Sequence, residues 1–418
     1  MKPIPQLLHD QEIPVVTYRK ILTSRNVPQL LLAASLSRLA HGMLLLVVVL
    51  YSIAEFDSAA VAGMSGFFLT LPGFLISPIA GAVLDRFGAL RAVAMDTAAS
   101  AVLIGGIGVF SLVGNLTPGV LYVLLALFSL TSPLTDGGIR TLFPQFVPDI
   151  AYDKANALDL STYSAIEVGG PLVAGSLFAW AGANPALFTV VGLYALATLS
   201  LALLRGDPKP APKGERQQHL LRAAWEGITY LLRNSTLRGL AASYSLFQVS
   251  YGMLILIVPV AVTEWVTPGS SSGRYVGLIW AVVGLCGGLG ALAAGKLVRS
   301  GVERRYMVGA TAVASAAIFP ISALGSLVAL GAGLALFGLM EGTVNVSLLS
   351  LRQRRTDPGW IGRIMTVSIS VNLIGFPVGT ALGGFLVGAT TPAKALAVAA
   401  ALTLASAVCA RLLVPKEA

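Results

Sequence analysis

Charge is what this 418-residue chain most lacks. Only 11% of its residues are Asp, Glu, Lys or Arg, against roughly 25% in an ordinary soluble domain, while 56% are hydrophobic. So little charge cannot clothe a water-soluble globule of this size, which excludes a soluble enzyme. Cysteine is nearly absent. Cys286 and Cys409 each fall inside an apolar stretch, too few and too far apart for a disulfide framework or a metal-ligand pattern. Of the histidines, His9 and His219 lie in polar segments and His41 lies in an apolar run, so no metal site is expected. A phosphate-binding loop of the Gly-x-x-x-x-Gly-Lys-Ser/Thr type is missing too, which leaves no motif for ATP and no cofactor to expect. Gly269-Ser270-Ser271-Ser272-Gly273 spells a nucleophile elbow, but no strand precedes it and no histidine accompanies it, so it reads as a flexible loop. The net charge of +9 does not indicate nucleic acid, because the cations are spread between apolar stretches rather than gathered on a soluble face.

What the chain has instead is a succession of long apolar runs. A membrane helix needs ~20 such residues, and twelve stretches qualify: 28–54, 59–84, 90–113, 119–143, 158–181, 185–204, 237–262, 275–298, 306–324, 326–349, 365–388 and 395–414. The expected fold is therefore an all-α membrane protein of twelve transmembrane helices. Its segment 1–27 is polar and carries Asp10 and Glu12, unlike a cleaved signal peptide. Of the 28 Lys and Arg, 25 fall on the side shared by both termini, two (Arg274 and Lys394) on the other, and Arg38 within a helix. Basic loops remain in the cytoplasm, so both termini are expected there, with the chain multi-pass in a cell membrane and the lipid bilayer as its surroundings. The longest connection begins with the Pro-rich run 207–213, then places Leu220, Leu221, Trp225, Ile228 and Leu231 at helical spacing, as an interfacial amphipathic helix would. The expected organisation is an extension over 1–27, a six-helix bundle over 28–204, this linker over 205–236 and a second six-helix bundle over 237–418.

The halves resemble each other at an offset of roughly 210 residues, the spacing of a duplicated bundle. His41-Gly42-Met43 lies over Tyr251-Gly252-Met253, Asp136 over Asn345, Gly170 over Gly379 and Gly175 over Gly384. After the second helix comes Gly81-Ala82-Val83-Leu84-Asp85-Arg86-Phe87-Gly88-Ala89-Leu90-Arg91, in which glycines permit a tight turn and the charges can latch neighbouring helix ends. This resembles the cytoplasmic loop motif of the major facilitator superfamily. Phe143 to Pro148, Lys154 to Leu158 and Gly169 to Gly175 extend the resemblance, toward the branch of macrolide, drug and enterobactin exporters. Ala89 and Leu90 stand where that loop usually carries basic residues, and the second loop copy, 295–305, has no counterpart of Asp85.

The resemblance implies two pseudo-symmetric bundles working by alternating access, and a monomer carrying a small-molecule substrate. Proton-coupled efflux of amphipathic organic molecules is the leading expectation. Uptake or facilitated passage of a metabolite is the alternative, and a non-transporting sensor or scaffold is the alternative of another class. A charge at mid-bilayer costs about 2.5 to 3.5 kcal/mol on insertion scales, so one that persists usually faces a cavity or a partner. Glu341, Glu167 and His41 are the candidate proton-coupling residues, since a carboxylate that gains and loses cationic partners can load and release a proton. Arg38 is expected to pair with Glu167. The substrate cavity is expected to include Arg38, Gln248, Tyr244, Tyr251 and Asn345. Asp85, Arg86, Gly88, Arg91, Asp136 and Arg140 form a candidate cytoplasmic gate, and Asp96 lies at a similar depth. Gly170, Pro171, Gly175, Gly379 and Gly384 are candidate hinge and packing positions. Epitope tags at the N-terminus, the C-terminus and in 205–218 should all be accessible from the cytoplasm and not from outside; an externally cleaved terminus would overturn the orientation.

Overall fold

The computed structural model describes residues 23, 26–147, 152–204, 220–266 and 272–416. The N-terminal extension up to residue 22, the Pro-rich linker 205–219 and the serine loop at 269–271 lie outside them. Among the described residues the chain is helical throughout. The first bundle comprises α1 (Val27–Phe56), α2 (Ala59–Phe87), α3 (Ala89–Leu112), α4 (Pro118–Thr131), α5 (Pro133–Phe146), α6 (Tyr152–Ala181) and α7 (Ala183–Ala202). After α8 (Leu220–Arg233), the second comprises α9 (Ser235–Trp265), α10 (Ser272–Leu297), α11 (Glu303–Leu324), α12 (Leu327–Arg354), α13 (Ile361–Leu373), α14 (Gly375–Ala389) and α15 (Pro392–Leu413). Twelve stretches are long and apolar enough to cross a membrane, with α4 and α5 together forming one span and α13 and α14 contributing to another. Several helix starts are fixed locally: Ser58, Thr117, Asn234, Ser326 and Thr391 each cap a helix by accepting a backbone N–H, which meets part of the unmet donor set of a first turn.

Two spans expected to be continuous are broken, and proline explains both. Pro133 has no N–H to offer the carbonyl of Ser129, four residues back, and the Ser132 hydroxyl donates to that carbonyl instead at 3.2 Å. Pro377 likewise cannot bond Leu373, and the helix is interrupted at Ile374. Pro171 sits within α6 without ending it, leaving the carbonyl of Glu167 without its helical donor.

The bundles touch through two seams of glycine in the half of the molecule remote from the basic loops and, nearer the basic end, where the Ser77 and Ser370 hydroxyls of α2 and α13 stand 3.4 Å apart. Gly63 on α2 meets Thr380 and Gly384 on α14, and Gly175 on α6 meets Gly273 and Gly277 on α10. The seams are equivalent under the internal repeat, because Gly384 matches Gly175 and Gly273 matches Gly63. A Cβ at Gly384 would stand 2.5 Å from the Ala59 carbonyl oxygen, and one at Gly175 would meet the Gly273 carbonyl and stand 2.7 Å from the Gly277 Cα. Only glycine permits this approach. Gly170 and Gly379 are also paired by the repeat, but they pack within bundles, against Gly42 on α1 and against Val249 and Met253 on α9. With the far end sealed and His41, Glu167 and Asn345 exposed at mid-depth, the cleft between the bundles opens toward the basic end.

The amphipathic helix α8 is docked rather than free. Leu231 joins Leu237, Ile364 and Val367 in a small core, Tyr230 stacks on Trp360 at 4.8 Å, and Trp225 remains 69% exposed, in the position of an interfacial anchor. If the seams hold the far end shut, Gly175→Ala and Gly384→Ala should each open it. Spin labels on the far-end turns of α6 and α10 should then report longer distances, and unchanged distributions would refute the role assigned to the seams.

Candidate functional site

The cleft is lined from both bundles. At 1.5 Å per residue, His41, Glu167 and Glu341 all lie ~20 Å from the basic ends of their helices, near the middle of the membrane. Arg38 and Asp159 lie one to two turns nearer the basic end. The Arg38 guanidinium binds the Asp159 carboxylate through both terminal nitrogens, Nη1 to Oδ1 at 2.5 Å and Nη2 to Oδ2 at 3.0 Å, and lies over the Tyr163 ring at 5.4 Å. The expected pairing of Arg38 with Glu167 is therefore corrected: Asp159 is two turns from Glu167 on α6 and takes the cation. A bidentate pair with side chains only 13% and 14% exposed is strong and fixed in geometry, and it ties α1 to α6.

Among the described residues no ion pair is found for Glu167, and Glu341 of the other bundle is within its electrostatic range. Glu341 is in hydrogen-bonding reach of the Asn345 side chain one turn away. Asn345 Oδ1 accepts from the Tyr244 hydroxyl at 2.5 Å, so its Nδ2 is the group left to donate to Glu341. Tyr251 lies in the field of both carboxylates and belongs to an aromatic wall, with Phe337, Trp280 and Phe376 each 5.9 Å from its ring. His41 stacks against Phe128 at 6.3 Å. Gln248 is a different case. It is buried where α9 meets Gly375 at the α13–α14 break, and so supports that break instead of lining the cleft.

The gate candidates lie toward the basic ends of their spans. Arg86 reaches over Phe87 at 5.7 Å, Arg91 is exposed, and Gly88 takes a positive φ of 82° between α2 and α3. Asp136 and Arg140 are exposed and share the surroundings of Tyr163. The Asp85 side chain lies outside the described residues. In the second bundle Glu303, completely buried, accepts from the Gly301 backbone N–H at 2.8 Å and binds Arg354 at 3.0 Å, so an acidic anchor exists there at a position the loop motif does not mark. Arg352 was counted with the basic loop, but α12 extends through it. Its side chain is only 4% exposed, on the face of α12 that carries Glu341 and Asn345 by helical spacing.

These features converge with the comparisons. The profile of the Major Facilitator Superfamily matches residues 30–379, and the chain belongs to that superfamily of membrane transporters. It is 42% identical to the uncharacterized MFS-type transporter y4rN of Sinorhizobium fredii, over 96% of this chain and 98% of that one. Similarity to the enterobactin exporter EntS of Escherichia coli is 26% identity over 57% of this chain and 56% of that protein, so the match spans about half of each. The fold superposes on the nucleoside transporter NupG with a TM-score of 0.76 at 15% identity, covering 94% of this chain and all of that one.

Removing one partner of a buried ion pair costs about 3 to 5 kcal/mol, whereas replacing both by apolar residues is often near neutral. Asp159→Asn should therefore lower the melting temperature in detergent sharply, and the double change Arg38→Met with Asp159→Leu should recover most of the loss. Equal stability of Asp159→Asn and wild type would show that the pair carries no such weight.

Proposed function

We propose that this transporter exports amphipathic organic molecules in exchange for protons, with Glu341 and Glu167 as the coupling carboxylates. The observation that carries this reading is the facing pair itself, two acids from opposite bundles at mid-depth, with the cation of α1 already committed to Asp159. Two like charges in a poorly solvated site repel, so a proton on either acid changes how the bundles meet. A proton entering from outside would neutralise the pair, loosen a substrate held by it and favour the return conformation; its release to the cytoplasm would ready the site again. The partly exposed Tyr251 ring, backed by the buried rings of Phe337, Trp280 and Phe376, offers an apolar contact for the body of a substrate, while Asn345 and Tyr244 offer polar contacts. Similarity to EntS favours export and a siderophore- or drug-like cargo. The positive-inside count favours a cytoplasmic position for the open, basic end, where an exporter would load, and a single copy holds the whole cleft.

Proteoliposomes with an imposed pH gradient test the reading. Wild type should accumulate an amphipathic probe against its gradient only while the pH gradient lasts. Glu341→Gln keeps size and hydrogen bonding but not the charge change; it should lose that accumulation and keep downhill exchange. Accumulation by Glu341→Gln at the wild-type rate would remove Glu341 from the coupling role.

A further inference from the structure

Behind the first bundle's face of the cleft lies a carboxylate that the coupling pair does not include. Asp96 on α3 is 3% exposed and ~10 Å from the basic end of its helix. Its Oδ2 accepts from the Thr135 hydroxyl, and the Thr131 hydroxyl is also in reach. Its Oδ1 is buried without a hydrogen-bond partner. Among the described residues, the ionisable groups in its field are His41 on α1, Asp136 on α5 and Tyr194 on α7. None is a fixed cation. A carboxylate this dry, with one oxygen unmet and no salt-bridge partner, is costly to keep ionised, and a group so placed usually has a transient occupant. A proton needs no cavity. The two neighbours nearest to water, His41 and Asp136, are both exposed to the cleft, and imidazole is suited to passing a proton on.

We propose that Asp96 is a second proton-binding site of this transporter, loaded from the cleft through His41 and Asp136. In the transfer, an N–H bond of the His41 imidazolium breaks, the proton crosses the gap between the two side chains on water drawn from the cleft, and an O–H bond forms on Asp96 Oδ1. The imidazole returns to neutral and takes its next proton from cleft water. The hydroxyls of Thr131 and Thr135 hold the carboxyl group in place in both states. The inference rests on the proton-coupled reading and adds to it: the first bundle carries its own proton in addition to the one shared by Glu167 and Glu341.

Infrared titration of the full-length protein tests this without any transport assay. Wild type should show the carbonyl band of a buried protonated carboxylic acid that comes and goes with pH, and Asp96→Asn should lose that band while Glu341→Gln keeps it. Thr135→Val should move the band without abolishing it, since only a hydrogen bond is removed. In proteoliposomes Asp96→Asn should lower the proton-to-substrate ratio by about one and leave downhill exchange intact. A band unaffected by Asp96→Asn, an unchanged ratio, or a band that responds to sodium instead of pH would each overturn the proposal. A wild type that shows the Asp96 band but no pH-driven accumulation would refute the coupled reading on which the proposal rests, so the two failures are distinguishable.

Discussion

The Arg38–Asp159 ion pair determines what the remaining charges of the cleft can do. Within a bilayer no water compensates a stranded charge, so each ionised group must find a partner, reach an aqueous cleft or give up its charge. Because both terminal nitrogens of the guanidinium are bound to Asp159, Arg38 is not free to neutralise Glu167. That leaves Glu167 and Glu341, from separate bundles, within electrostatic range of each other. The same pair joins α1 to α6, and Gly175 on α6 forms one of the two seams between the bundles. Local electrostatics and the bundle contacts are thus built on the same helices.

The glycine seams supply the mechanical side. Each lets backbone meet backbone where any side chain would intrude, and such contacts owe more to close packing than to water exclusion, since lipid is as apolar as the helices it surrounds. Contacts of that kind can part without exposing a large hydrophobic surface to water. The repeat makes the two seams equivalent, as rocking of the bundles about the middle of the membrane would require.

Much of the fold was legible because the bilayer permits few solutions. Long apolar runs, basic connections on one side and a repeat offset near 210 residues led to twelve spans in two bundles. The interruptions at Ser132 and Ile374 were less legible, since a proline in an apolar run can end a helix, as Pro133 does, or be carried through it, as Pro171 is. In the site, depth along a helix singled out Arg38, Glu167 and Glu341, and His41 followed as the residue one turn beyond Arg38. Depth could not decide which acid on α6 would turn toward Arg38, and Asp159 stands beside the expected start of its span at residue 158. Arg352 was placed in a loop because it is followed closely by Arg354 and Arg355; only the extension of α12 shows that it lies on the face of Glu341. Glu303 has no motif to reveal it, because its anchor forms through Arg354 from a different helix.

The central claim is that substrate movement and proton movement are tied through the facing carboxylates. The most direct measurement is the equilibrium substrate ratio across proteoliposome membranes as a function of the imposed pH difference, with the membrane potential clamped at zero. Coupling predicts a ratio that changes at least about tenfold for each unit of pH, since one proton carried per substrate is worth about 1.36 kcal/mol per unit. A ratio that stays at one at every pH difference would contradict the account.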